Sequence, residues 1–189
     1  MRMTPASSPS DDIPTFRIDL ARPPELRYYE VATEFGSRMR SMSLVFDELL
    51  QGMLGYRVLA VLAKLAARLF LRRLYDVEQT KEVTAIAKVA RLDLYLIIAL
   101  NVFLDILMGC TAGCVTVQPQ RLNGGALDGS LRLMHFRTLD WGMDALRDLL
   151  VRLEYVDSST GSDRVIATTV TYAGFVGTLT GVRYVAMYR

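Results

Sequence analysis

Cys110, Arg137 and Asp140 are the residues whose types and spacing best suit them to break an amide bond. Cys110 stands in Leu107-Met108-Gly109-Cys110-Thr111-Ala112-Gly113-Cys114, where a long apolar run ends and an alternating run begins. A thiol attacks an amide well as the thiolate, or with a base beside it. His135 is one candidate base, because on an alternating strand it shares a side with Arg137. A second route needs no histidine. If the chain is cut between Gly109 and Cys110, the new α-amino group has an unperturbed pKa of about 7.7–8.0 and suits proton transfer near neutral pH. Asp140 would hold that amine, and the charge of Arg137 would favour the thiolate. Blander readings stand beside these. An Arg and an Asp three apart are commonly a surface ion pair, and a lone histidine commonly packs. Cys114 is a rival nucleophile.

The elements that must position these groups follow from periodicity. Residues 1–13, rich in Ser, Pro and Asp, are expected to form a disordered lead-in. Residues 14–20 alternate like a short strand, with Phe16, Ile18 and Leu20 on one side. Pro24 fits the first turn of a helix beginning near Glu25. That helix is expected to run to Met42, weakened or split at Gly36, with Ser43 capping another over 44–54. Gly52 and Gly55 mark a break. Residues 56–75 form a strongly apolar helix with Lys64, Arg68, Arg72 and Arg73 as polar members. It reads first as a core helix with a solvated basic edge, and second as a basic amphipathic helix on an anionic membrane. Residues 76–82 read as a polar link with Thr80 as a cap, and 83–90 as a short helix with Ile86 and Val89 inward. The apolar helix over 94–108 is about 15 residues long, short of the roughly 20 that span a bilayer. Asn101 and Asp105 share one face of it and are expected to satisfy nearby backbone or side chains.

After Cys110 the period becomes two. Asn123-Gly124 and Asp128-Gly129 mark the long loop of a β-hairpin whose returning strand covers 131–137. Residues 141–151 are expected to be helical or irregular. Strands follow at 149–156, 165–172 and 182–187, with a turn at 158–163. The expected class is α+β, a helical N-terminal half and then an antiparallel sheet.

The totals narrow the function. The chain has 189 residues, 51% hydrophobic and 22% charged, enough to bury a sizeable core. A net charge of +2 with dispersed Lys and Arg argues against a nucleic-acid partner. Two cysteines and one histidine make neither a disulfide framework nor a zinc site, and no cofactor is expected. A Cys110–Cys114 bridge would close a very small loop. The first 14 residues lack an apolar signal region, so the chain as written is expected to start in the cytosol.

Several stretches together resemble the family of acid ceramidase and N-acylethanolamine-hydrolysing acid amidase, which are N-terminal-nucleophile hydrolases. Ile18-Asp19-Leu20 followed by Pro23-Pro24-Glu25 resembles the family's opening "INLDLPP". Residues 82–107 resemble the helical stretch before its cleavage site. Cys110-Thr111-Ala112 resembles its Cys-Thr-Ser nucleophile start, and Arg137-Thr138-Leu139-Asp140-Trp141-Gly142 its "RNMDFG". Residues 173–181, Ala-Gly-Phe-Val-Gly-Thr-Leu-Thr-Gly, resemble "AGYVGMLTG". The last three motifs, in order, are the specific part.

The resemblance implies that Cys110 is the nucleophile and becomes an N-terminus when the Gly109–Cys110 bond is cut. Asp140 would engage the freed amine, and Arg137 would support thiolate and substrate. It implies a lipid amide substrate, ceramide or an N-acylethanolamine, with peripheral membrane contact and, if the N-terminus is incomplete, a lysosomal, vacuolar or secreted location. It implies part of a layered αββα fold over 110–189, preceded by a helical propeptide-like region over 14–109. Relative to the family pattern, the span from Cys110 to Arg137 is longer, an expected insertion near Gly124-Gly125. Further strands and carbonyl-polarising residues are expected beyond Arg189. Without an oxyanion donor the rate would fall by roughly two to three orders of magnitude. The alternative is therefore an inactive fragment, or a binding or regulatory protein of the same family.

Overall fold

The computed structural model of the chain describes residues 13–106, 110–117, 132–139 and 144–183. The lead-in before residue 13, the hairpin loop near Gly124-Gly125, Gly109 and Asp140 lie outside these described residues. Among the described residues the architecture is α+β, with strand β1 (Thr15–Asp19) first, five α-helices, and then five strands. The helices are α1 (Pro24–Arg27), α2 (Tyr29–Leu54), α3 (Arg57–Phe70), α4 (Val77–Ala90) and α5 (Leu94–Ile106). The strands are β2 (Cys110–Val117), β3 (Arg132–Leu139), β4 (Leu150–Asp157), β5 (Ser162–Tyr172) and β6 (Thr180–Arg183).

The larger sheet has the order β1-β4-β5-β6. β1 lies parallel to β4, and the remaining pairs are antiparallel. A parallel neighbour cannot come from a hairpin, so a long connection must separate the two strands. Here that connection contains every helix and the β2–β3 pair. One sheet face, carrying Val151 and Leu153 of β4 with their partners Thr171 and Thr169, is buried. The core joins these residues to Ile18 of β1, Phe35 of α2, Val83 of α4 and Ile98 of α5. Its members thus come from both sides of Cys110.

Three helical expectations need correction. α2 does not split at Gly36 and does not restart at Ser43; it is one helix from Tyr29 to Leu54. Gly36 serves packing instead, because a Cβ there would stand 3.3 Å from the Cα of Ala90. The two helix backbones meet at that point, and Arg40 donates to the carbonyl of Ala90 at 2.6 Å. Residues 76–82 are not a link, because α4 already begins at Val77. The cap is Asp76, whose Oδ1 accepts from the amides of Glu78 (2.7 Å) and Gln79 (3.0 Å). Thr80 sits inside the helix and donates to the carbonyl of Asp76 at 2.7 Å.

The third correction concerns α3, whose preferred reading was a core helix. Its small and basic side lies inward, with Ala63, Lys64 and Ala67 half-buried. Arg68 pairs with Asp93 at 2.9 Å and lies 5.2 Å above the ring of Tyr95. The apolar side faces out, with Val58, Leu62, Leu65 and Leu69 all exposed. Among the described residues, no helix is long and apolar enough to cross a membrane.

Candidate functional site

β2 and β3 form a separate two-stranded sheet. Their antiparallel register pairs Cys110 with Leu139, Ala112 with Arg137 and Cys114 with His135. Positions 110, 112 and 114 share strand parity, so Arg137 and His135 belong to the same face as the two cysteine positions. Gly113 lies on the other face, where a Cβ would come 2.9 Å from the exposed ring of Phe136 and push it aside.

This register separates the candidate bases. His135 is opposite Cys114, four residues along the strand from Cys110, or about 13 Å at the usual rise. That is far beyond the roughly 3 Å needed for proton transfer to a thiol at position 110. The expectation of a Cys110–His135 pair therefore fails. His135 Nδ1 instead lies 2.9 Å from the hydroxyl of Thr180. Cys114 is a free, exposed thiol.

Arg137 stands beside Ala112, two residues from Cys110. It is half-buried, and its Nη1 donates to the carbonyl of Leu179. The Gly-rich segment between β5 and β6 thus holds the arginine. Thr180, the residue after Leu179, accepts at its carbonyl from the hydroxyl of Thr169 at 2.5 Å. Gly181 lets the strands close, since a Cβ there would meet the carbonyl of Thr168 at 2.9 Å. Gly174 has φ +94, a region that L side chains avoid, and a Cβ would also press on Met39 at 3.1 Å.

The same segment is gripped from the helical side. Asn101 of α5 is 3% exposed. Its Nδ2 donates to the carbonyls of Ile97 and Gly174, each at 2.8 Å, and its Oδ1 accepts from the amide of Val176 at 3.0 Å. The expectation that Asn101 satisfies nearby backbone holds. Its partner in sequence 73 residues away was not legible. An asparagine in a helix of otherwise apolar character was the available signal.

A buried acid lies elsewhere. Glu82 of α4 is buried, and burial pushes its carboxyl up, partly offset by the guanidinium of Arg27 at 3.0 Å. Arg27 also binds Glu78 and the carbonyl of Leu20, the latter at 2.7 Å. Tyr28, between α1 and α2, and Tyr155 of β4 have their hydroxyls 3.4 Å apart, and burial raises both phenols. These groups join helices to sheet and carry no candidate nucleophile.

No curated protein sequence matches the chain. Residues 11–74 match the family model for the beta subunit of N-acylethanolamine-hydrolyzing acid amidase. The match covers β1, α1, α2 and α3 and ends before Cys110. It suggests likeness to an amidase of that type over these residues, and it supports the resemblance to the family of acid ceramidase and N-acylethanolamine-hydrolysing acid amidase.

Proposed function

We propose that the chain is a lipid amidase whose nucleophile is Cys110, exposed by cleavage of the Gly109–Cys110 bond. The observation that carries this reading is the β2–β3 register. It puts position 110 at the start of a strand, with Arg137 of the facing strand two residues along. In the cleavage step the thiol attacks the Gly109 carbonyl, the peptide C–N bond breaks, and water releases the resulting thioester. Cys110 keeps its thiol and gains a free α-amine. That amine then takes the thiol proton, Asp140 holds the amine, and Arg137 favours the thiolate. The thiolate attacks the N-acyl carbonyl of ceramide or an N-acylethanolamine and expels the amine. Water hydrolyses the acyl-enzyme to fatty acid. In this reading 14–109 is the propeptide-like piece and 110–189 belongs to the catalytic part.

The outward face of α3 supports contact with the membrane that holds such substrates. Between residues 55 and 75 the chain has Arg57, Lys64, Arg68, Arg72 and Arg73 and no acidic residue. Lys64 and Arg68 lie on the inward side, but the exposed Arg72 and Arg73 just after α3 set cations at the end of its exposed apolar face, which suits an anionic interface. A Leu62→Ser/Leu65→Ser variant should lose co-sedimentation with anionic phospholipid vesicles, and unchanged binding would remove α3 from the reading.

The test of the reaction uses purified chain, incubated at acidic and neutral pH with acyl-labelled ceramide and acyl-labelled N-acylethanolamine. Cleavage before Cys110 and fatty-acid release are expected, both abolished in Cys110→Ala. The Cys114–His135 pairing favours a second reading, in which Cys114 is the nucleophile and His135 its base. Activity that survives Cys110→Ala and is lost in Cys114→Ala would select it. Neither cleavage nor release would leave an inactive member of the family.

A further inference from the structure

We infer that Asn101 is a positioning residue for the cysteine site, acting through the segment between β5 and β6 on Arg137. The inference rests on the reading of Cys110 as nucleophile and adds a residue to it.

A primary amide carries two N–H donors and one carbonyl acceptor, so it can stand in for a peptide group of a neighbouring strand. Asn101 uses it in that way, donating to Gly174 and accepting from Val176. The second donor returns to Ile97 of its own helix, which fixes the side chain. The amide is thus fully used at a buried position, where an unmet group would cost about 1–3 kcal/mol.

The gripped turn is a constrained one. Gly174 is held at φ +94, and the amide of Phe175 closes onto the carbonyl of Tyr172 at 3.0 Å. Three residues after Val176, the Leu179 carbonyl receives the guanidinium of Arg137. A displacement of the turn therefore moves the acceptor that orients Arg137. Hydrophobic contact alone would not fix this direction, because burial is not directional whereas hydrogen bonds are. α5 also belongs to the part of the chain that precedes the Gly109–Cys110 bond. Asn101 is then a tie, across that bond, between the leading helix and the segment that holds the arginine.

The test measures the thiol at position 110 directly. The full chain is prepared in a Cys114→Ser background, which leaves Cys110 as the only thiol. The rate of alkylation by iodoacetamide is followed against pH. Arg137→Gln should raise the midpoint by about one pH unit, the usual scale for losing a nearby opposite charge. Asn101→Ala should raise it in the same direction by a smaller amount. In the double variant the Asn101 change should add nothing to the Arg137 change. Asn101→Ser leaves a smaller cavity than Ala and serves if the alanine variant does not fold, with thermal melts of all variants alongside. A purely structural role would lower the melting temperature and leave the midpoint in place. An unmoved midpoint in folded Asn101 variants, additive shifts, or no shift with Arg137→Gln each overturn the inference. Absence of self-cleavage or amidase activity alongside coupled midpoints would overturn the functional reading alone.

Discussion

α3 and α4 are the same length, 14 residues, and they reverse what their sequences promise. α3 has the clear apolar stripe, yet Leu62 is 55% exposed. α4 has a mixed sequence with acids and Thr, yet Val83, Ile86, Ala87 and Ala90 are all buried. The difference lies in what each helix meets. α4 lies against α2 at Gly36, where the missing side chain lets the backbones approach. α3 approaches α5 with its basic edge, held by Arg68 on Asp93 and Tyr95. A stripe of apolar residues states that a face needs a cover, and only the neighbours decide whether the fold supplies it.

The contrast can be broken most forcefully in the buried helices. Ile98→Ala on α5 should destabilise the chain by about 2–5 kcal/mol, because a fully buried side chain is lost and its site cannot fully collapse. Urea unfolding measures this, and a loss under ~1 kcal/mol would mean that the helix layer does not share the core of the sheet. Gly36→Leu should cost about 1–3 kcal/mol by forcing α2 away from Ala90. Removing the N-cap in Asp76→Ala should cost about 1 kcal/mol, since two amides of α4 lose their acceptor.

Glu82 gives α4 a buried charge that α3 lacks among its described side chains. Its carboxyl is raised above its ordinary 4.5 by burial, although Arg27 pulls it down. From about pH 4.5 upward to the raised value, the folded chain binds more protons than the unfolded chain. Its contribution to stability is present below that window and is lost as pH rises through it. Glu82→Gln should remove this slope, visible as urea midpoints that change less between acidic and neutral pH than in the parent chain. An unchanged slope would show that the pull of Arg27 cancels the effect of burial, so that Glu82 binds its proton equally in the folded and unfolded chain.

Much of the strand framework was legible, and for a reason. The change from helical to alternating period at Cys110 marks β2, and the match of 16 and 18 to one side marks β1. What β1 pairs with was not legible, since nothing local in Thr15–Asp19 selects β4 more than 130 residues away. The start of α4 was missed because Val77 to Glu82 is polar by composition, while Asp76 supplies the capping geometry that composition hides. At the candidate site the sequence could put His135 and Arg137 on one side. It could not give the register, and the register alone decides that His135 faces Cys114. Asn101 was readable as a polar group needing partners, and its grip on Gly174 and Val176 depends on a turn that the chain reaches much later.

The smallest effect is expected on α3, and it separates stability from use. Leu62→Ser/Leu65→Ser changes two side chains that are already more than half exposed. Little apolar area is returned to water when they are replaced, so each should move the unfolding free energy by no more than about 0.5 kcal/mol. If α3 were a core helix, the same pair would cost several kcal/mol, as Ile98→Ala does on α5. Urea unfolding of the lipid-free chain therefore distinguishes the two readings of α3 without any membrane present. A large loss would mean that the apolar face has a protein cover in solution, which would turn α3 into a second α5. A negligible loss leaves a helix whose sequence builds an apolar surface that folding does not use.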